Sequence, residues 1–275
     1  MNSLNNPERD GAFAQAADLH MEEGDKPSVE GLVLSCDDYK DHDGLVTVAQ
    51  PDRLVKIYAR GVQKETSKNR RLVMPFSKVH FNYDPHYSRD FLFLINGHVI
   101  DSWWKCSNLL EEQTMSDLLV RMIRRHGITP EIYYDLEQFW KNAHEGKSED
   151  AWLAACKAAV ELLKEAGVVM NVDECVICQR TDQIAGVSMM EGGFVCVDHL
   201  GINPLWPKED LILLRRLVRF PLRRLYKQDL RPHSHALFIY LLDWYEYTTQ
   251  SRLRSLSFLK TLCEERIETG LPLHS

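Results

Sequence analysis

The sequence contains no run of about eighteen apolar residues, and that absence argues against a membrane-spanning helix. The opening stretch, Met1 to Asp10, lacks the basic start and apolar core of a signal peptide. Seven cysteines, an odd number and mostly isolated, argue against a disulfide framework and for a reducing cytosol. There is no glycine-rich phosphate loop, no G-x-S-x-G elbow and no H-E-x-x-H pair, so the commonest hydrolase and nucleotidase signatures are missing. Basic residues are scarce at the start: residues 1–52 hold three against twelve acidic ones, a net of −9 in a chain whose total is −7. Overall acidity would discourage a nucleic-acid partner only if the charge were evenly spread, and it is not.

What is present begins with two knuckles. Cys175-x-x-Cys178 and Cys196-x-x-His199 are separated by seventeen residues. A two-residue spacing lets both side chains turn toward one point, so two knuckles supply a tetrahedral set of soft ligands. Between them Val187 and Met189 alternate with small residues, Gly192-Gly193 suits a turn, and Phe194-Val195 returns to Cys196, which reads as a hairpin. The expected site is one structural Zn2+ held by Cys175, Cys178, Cys196 and His199. A catalytic zinc keeps an open position and a nearby acid or base. Four ligands fill the shell here, and no H-x-E stands near the first knuckle, so a zinc enzyme is the weaker reading. Cys36, Cys106, Cys156 and Cys263 lack ligand spacing and read as packing residues.

Upstream the texture is that of short strands. Gly31–Cys36, Leu45–Val48, Leu54–Ala59 and Val79–Tyr83 are strand-like, with a turn-rich segment from Asp37 to Gly44. Phe91–Ile95 and His98–Asp101 flank Asn96-Gly97 and predict a hairpin. Helical periodicity takes over beyond Trp103-Trp104, with helices expected to about His126, over 130–143 and 149–166, and around 208–228, 234–248 and 251–268. In the C-terminal helices, Phe238, Tyr240, Leu241 and Trp244 either fill the core or line a groove. The expected fold class is α+β: an N-terminal antiparallel β-barrel of OB-fold type, then an all-helical domain carrying a zinc-binding β-hairpin. The expected organisation is an acidic, disordered extension over 1–29, the barrel over 30–104, and the helical domain over 105–270 with the metal element at 175–199.

Two basic surfaces stand out. Residues 53–71 carry seven bases and one acid: Arg53, Lys56, Arg60, Lys64, Lys68, Arg70 and Arg71. An OB-fold needs such a segment to track a phosphate backbone, although charge runs are also ordinary solvated faces. Tyr39, Tyr58 and Phe81 either offer stacking faces or fill the barrel. Residues 205–231 hold eight bases and three acids. Arg215, Arg219 and Arg223 recur every four residues on one helical face, which Arg216 and Arg224 widen, and Pro221 is expected to kink or split that helix. Guanidinium groups there suit phosphate or the acidic tail of a protein partner equally.

The succession Gly31-Leu-Val-Leu … Tyr39 … Asp43-Gly-Leu-Val-Thr47, then Ala59-Arg60-Gly61, a basic loop, and Pro75-Phe76-Ser77 resembles the start of the bacterial RecO family. The two-knuckle hairpin within a helical region and the segment Ser255–Leu259 resemble its later part, so the likeness spans residues 29–268. His199 departs from the pattern, where many members carry cysteine; imidazole is an acceptable substitute. The likeness implies an OB-fold barrel, a helical domain with a zinc element, and no enzymatic activity. It implies binding of single- and double-stranded DNA, annealing of complementary strands, and work with RecR to replace single-strand-binding protein by RecA. A cytoplasmic, nucleoid-associated bacterial protein is implied too. The residues alone also admit a zinc-containing OB-fold module that binds RNA.

Overall fold

The computed structural model describes residues 27–87, 91–227 and 233–269. The acidic extension expected over 1–29 falls, as far as residue 26, outside the described residues. The chain divides into two compact units. One comprises the described residues up to Gln113 together with Val120–Trp140; the other comprises Thr114–Leu119 and the described residues from Lys141 onward.

The first unit is built on five strands: β1 (Ser28–Tyr39), β2 (Asp43–Ala49), β3 (Leu54–Ala59), β4 (Ser77–Asp84) and β5 (Leu92–Ser102). They close into a barrel in the order β1-β2-β3-β5-β4, the OB-fold arrangement. Neighbours pair antiparallel, except where β3 meets β5 in parallel at Ile57↔Leu92 and Tyr58↔Phe93. β1 serves two partners. Ser28 to Val33 pair with β4, Leu32 to Tyr39 pair with β2, and a bulge between Val33 and Ser35 lets the strand bend around the barrel. Val33, Val46, Val48, Val55, Ile57, Val79 and Phe81 point inward, the period-two pattern of β-branched and aromatic residues that a pleated wall requires.

Two strand expectations need correction. β1 runs on to Tyr39, so the turn between β1 and β2 is confined to residues 40–42. The polar residues Asp37 and Asp38 remain in the ladder because backbone pairing to Leu45 and Gly44 does not depend on apolar side chains. The hairpin at Asn96-Gly97 does not form: β5 passes straight through it, paired with β4 throughout. Asn82 Nδ2 donates to Asn96 Oδ1 at 2.7 Å across that ladder. Gly97 is there because a Cβ would press into the His80 carbonyl, so the glycine serves close backbone approach rather than a turn.

Helices α1 (Leu110–His126) and α2 (Pro130–His144) follow, and the boundary between the units falls within both. In the first unit, Met122, Ile123, Ile132, Leu136 and Phe139 are buried, and Trp140 packs 6.0 Å from Trp103 and 5.2 Å from Phe76. Arg124 donates to Asp37 Oδ2 at 2.6 Å, to Thr47 Oγ1 at 3.3 Å and to the Ser35 hydroxyl.

The second unit centres on α3 (Ser148–Glu165), buried on nearly every side. Its alanines at 151, 154, 155, 158 and 159 let α4 (Lys208–Arg219) and α6 (Ser234–Thr249) approach closely. Lys157, within that core, donates to the Leu217 carbonyl at 2.7 Å and pairs with Glu161. Phe220-Pro221 ends α4, since proline cannot continue the hydrogen-bond ladder, and α5 (Leu222–Leu225) starts afresh. Helix α7 (Arg254–Thr269) completes the unit, and strands β6 (Ile184–Ser188) and β7 (Gly193–Cys196) form its hairpin. Phe238, Leu241 and Trp244 are core residues, while Tyr240 is half-buried. Among the described residues no helix is long and apolar enough to cross a membrane.

Candidate metal centre and nucleic-acid interface

The two knuckles meet. The first is a tight turn in which the Gln179 N–H donates to the Cys175 carbonyl at 2.8 Å and the Cys175 N–H to the Arg180 carbonyl at 2.7 Å. Gln179 adopts φ 63°, the left-handed step that turns the chain back so that Arg180 meets Cys175. The second knuckle is the end of β7 and the 3-10 turn Val197–His199. The Val176 N–H donates to the Phe194 carbonyl at 2.9 Å and locks the first knuckle onto β7. Outside the cluster, the Arg180 guanidinium donates to Asp198 at 2.7 Å and to Gln183 at 3.0 Å, tying the two turns together a second time.

The donor atoms of Cys175, Cys178, Cys196 and His199 all lie within 4.8 Å of one another. Sγ of Cys178 and Sγ of Cys196 are 3.8 Å apart; His199 Nδ1 is 3.7 Å from Cys175 Sγ and 3.3 Å from Cys196 Sγ. Bonds of roughly 2.0–2.3 Å to one central ion place tetrahedral donors about 3.3–3.8 Å apart, so these residues fit a metal ion. Burial would raise the Cys175 thiol, but backbone N–H groups of Cys178, Cys196 and Ile177 and the Cys178 side chain bring it down to about 6. Thiolate is the form that binds metal.

The hairpin behind the cluster is small, and its neighbours fix it. Residue 171 adds a bridge beside Gly193, where the Phe194 N–H donates to the Asn171 carbonyl at 2.9 Å. A side chain at 193 would run into the Asn171 backbone, which explains the second glycine of the pair. Tyr240 of α6 donates to the Val187 carbonyl at 3.3 Å and meets Trp206 edge-on at 4.7 Å. The other cysteines lie apart: Cys106 donates to the Trp140 carbonyl at 3.2 Å and Cys156 to the Ser234 carbonyl at 3.1 Å, as packing residues do. Burial, with Asp37 and Asp38 nearby, pushes the Cys36 thiol up to about 11, far from a ligand-ready thiolate.

The barrel's basic residues separate into two groups. Arg60, Lys64, Lys68, Arg70 and Arg71 all lie exposed on the connection from β3 to β4, which ends in the 3-10 turn Arg70–Val73. Leu72 and Val73 of that turn are buried and anchor it to the barrel core. Arg53 lies at the opposite end of β3, about 20 Å of extended chain away, and pairs with Asp52 at 2.9 Å. Lys56 sits half-buried between them. The connection leaves the barrel under one carboxylate: Asp43 Oδ1 accepts the Gly61 N–H at 2.7 Å and its Oδ2 accepts the Tyr58 hydroxyl. Those two bonds, the Tyr58 one first, hold the Asp43 carboxyl below the usual aspartate range, and the same contact pushes the Tyr58 hydroxyl up to about 12.

The arginine face is shorter than a continuous helix would make it. Arg215, Arg216 and Arg219 lie on α4, whereas Arg223 and Arg224 belong to α5 beyond the break. Arg215 and Arg219 converge on Asp173, Arg215 at 3.5 Å. The Arg224 guanidinium lies over the Phe220 ring at 4.1 Å. Of the aromatics singled out in the sequence, Phe81 fills the barrel, while Tyr58 stands at its rim in contact with Tyr39. Asp173 and Arg180 gave no sequence signal, and Asp43 stood only within the family-like motif, because each acts on a partner distant in the chain.

A closed OB barrel followed by a helical unit with a Cys3His cluster defines a class of proteins that join such a barrel to a helical unit carrying a hairpin able to hold a metal. Sequence comparison identifies the family within it. Residues 113–257 match the family described as "Recombination protein O C terminal". The "DNA repair protein RecO" of Halalkalibacterium halodurans is 25% identical over 242 residues, covering 85% of this chain and 94% of that protein. The protein of the same name from Bacillus pumilus is 25% identical over 243 residues, covering 85% and 93%. That from Latilactobacillus sakei is 28% identical over 182 residues, covering 63% and 65%. The chain belongs to the RecO family of DNA repair and recombination proteins.

Proposed function

We propose that this protein is a non-enzymatic recombination mediator. It binds single- and double-stranded DNA, anneals complementary strands, and acts with RecR to help RecA onto DNA coated by single-strand-binding protein. The observation that carries the reading is the exposed connection bearing Arg60, Lys64, Lys68, Arg70 and Arg71 on an OB barrel, in a member of this family. Five cations on one anchored segment suit a phosphate backbone and read no sequence, as an annealing protein requires. Arg53 and Lys56 would extend the contact along β3. Arg215, Arg216, Arg219, Arg223 and Arg224 would add a second anion-binding surface, for DNA or for an acidic partner segment. Such work belongs in the bacterial cytoplasm, at the nucleoid.

We assign the metal as zinc, one ion per chain, because three sulfurs and one imidazole in tetrahedral spacing suit it. Cys175, Cys178, Cys196 and His199 would fill its shell and leave no position for a reacting water. Its contribution is a cross-link that orders a hairpin too small to fold alone. The deciding experiment is annealing of complementary oligonucleotides, with and without single-strand-binding protein. Accelerated annealing in both conditions is expected; no acceleration in either would overturn the reading. Competition by matched RNA as effective as that by DNA would favour an RNA-binding module instead.

A further inference from the structure

Five rings gather at the end of the barrel from which the basic connection departs: Tyr39, Tyr58, Tyr87, Phe91 and Phe93. Tyr87 lies nearly parallel to two of them, 4.5 Å from Phe93 at 30° and 5.6 Å from Tyr58 at 27°. Tyr39 meets Tyr58 edge-on at 5.6 Å, and Phe91 sits 5.6 Å from Tyr58. A cluster of this kind serving only as core would be closed to solvent. Tyr58 is closed, at 3% exposure, but Tyr87 on top of it is 50% exposed. Tyr87 therefore rests against two supporting rings and keeps half of its surface in water.

Cations lie beside the inner rings. Lys40 Nζ lies 5.2 Å from the Tyr39 ring and 5.3 Å from the Tyr58 ring. Arg60 follows Tyr58 by two residues, and Asp43 fixes Tyr58 and the Gly61 backbone together. The nearby acids are largely engaged within the protein: Asp37 pairs with Arg124 at 2.6 Å, Asp38 accepts from Gln63 at 2.9 Å, Asp43 accepts two bonds, and Asp84, opposite Phe93, accepts the His86 N–H at 2.9 Å; Asp41 lies in the exposed turn. An aromatic cluster beside exposed cations matches a ligand with flat unpaired bases and a negative backbone. A duplex hides its base faces and gains only the charge.

We infer that the ring cluster capped by Tyr87 is a stacking platform for unpaired bases of single-stranded DNA, with Lys40 and Arg60 beside it for the phosphates. The inference rests on the reading that the β3–β4 connection binds DNA, and the test separates the two. Fluorescence anisotropy compares an oligothymidylate of about 16 nucleotides with an abasic deoxyribose-phosphate strand of equal length and charge. The full-length protein should bind the base-bearing strand roughly tenfold or more tightly than the abasic one. Tyr87→Ala should bring the first affinity down to the second and leave the second unchanged; Tyr87→Phe should keep the preference. Equal binding of both strands by the unaltered protein would overturn the platform while the DNA reading stands, and so would an Ala variant that weakens both alike. Binding of neither strand would overturn both. Should Tyr87→Ala prove unfolded by circular dichroism, the comparison of the two strands by the unaltered protein still decides.

Discussion

At the scale of single residues, the clearest commitments sit on Cys178 and Asp43. Cys178 is the exposed member of a cluster whose other two cysteines are buried, so its replacement removes a ligand without opening a cavity. Cys178→Ala should lower metal content from one ion per chain to near zero and reduce thermal stability together, by several kcal/mol. Elemental analysis with a calorimetric scan checks both, and a metal-free variant as stable as the parent would show the cross-link to be dispensable. Asp43 anchors the basic connection through Tyr58 and Gly61. Its folded carboxyl titrates below the ordinary aspartate value. The stabilisation is therefore fully present above about pH 4 and fades as the pH falls through the lowered value. Asp43→Asn should cost about 1 kcal/mol at neutral pH, after allowance for its partial exposure, and the gap in urea midpoint should narrow toward pH 3. A gap that stays constant across that range would mean the charge is not what matters.

At the scale of elements, the connection from β3 to β4 and the broken α4–α5 pair carry the charge argument. The connection is exposed along its cationic length and anchored at both ends, by Asp43 and by buried Leu72 and Val73. Changing Arg60, Lys64, Arg70 and Arg71 to Glu touches none of those anchors, so the barrel should keep its melting temperature. Single-stranded DNA affinity should fall at least tenfold, and its salt dependence should become shallower by up to about 3 in the log–log slope if all four neutralise phosphates. Anisotropy titrations at two or more salt concentrations measure this, and an unchanged slope would remove the connection from the interface. On α4, by contrast, Asp173 already draws Arg215 and Arg219 together, so that face presents less free positive charge than its composition promises. The hairpin expected at Asn96-Gly97 belongs at this scale too. Local turn chemistry favoured a reversal, but a strand long enough to pair with β4 from Asp84 to Ser77 closes the barrel, and closure outweighed it.

For the whole molecule, charge distribution matters more than charge total. The net −7 conceals a strongly acidic first fifth and locally basic surfaces beyond it. A partner responds to the field within about 8–10 Å of it at physiological salt, and at that range the exposed cations of the basic connection count for more than the chain's total. The two compact units divide the labour proposed above. The first presents rings and cations on one rim of a closed sheet, and the second packs its hairpin against α6 and carries on it a Cys3His cluster able to hold a metal ion.

How much of this was legible beforehand depends on whether the signal was local. The knuckles, the hairpin between them, the break at Pro221 and the helices expected to about His126, over 130–143 and over 149–166 each rest on spacing within one segment, and the structure has them within a residue or so of those bounds. Cys156 as a packing residue follows from its helical position in the same way. The tertiary structure decided what depends on pairs far apart in the chain. Tyr87 becomes a presented ring only because Phe93 and Tyr58 lie beneath it; Arg60 and Arg53 separate because a strand runs between them; Asp173 gathers two arginines forty residues away. Short-range patterns fix the φ/ψ choices and ligand spacings of a segment, whereas which side chains share a surface depends on strand order and helix packing, and those are settled only when the core closes.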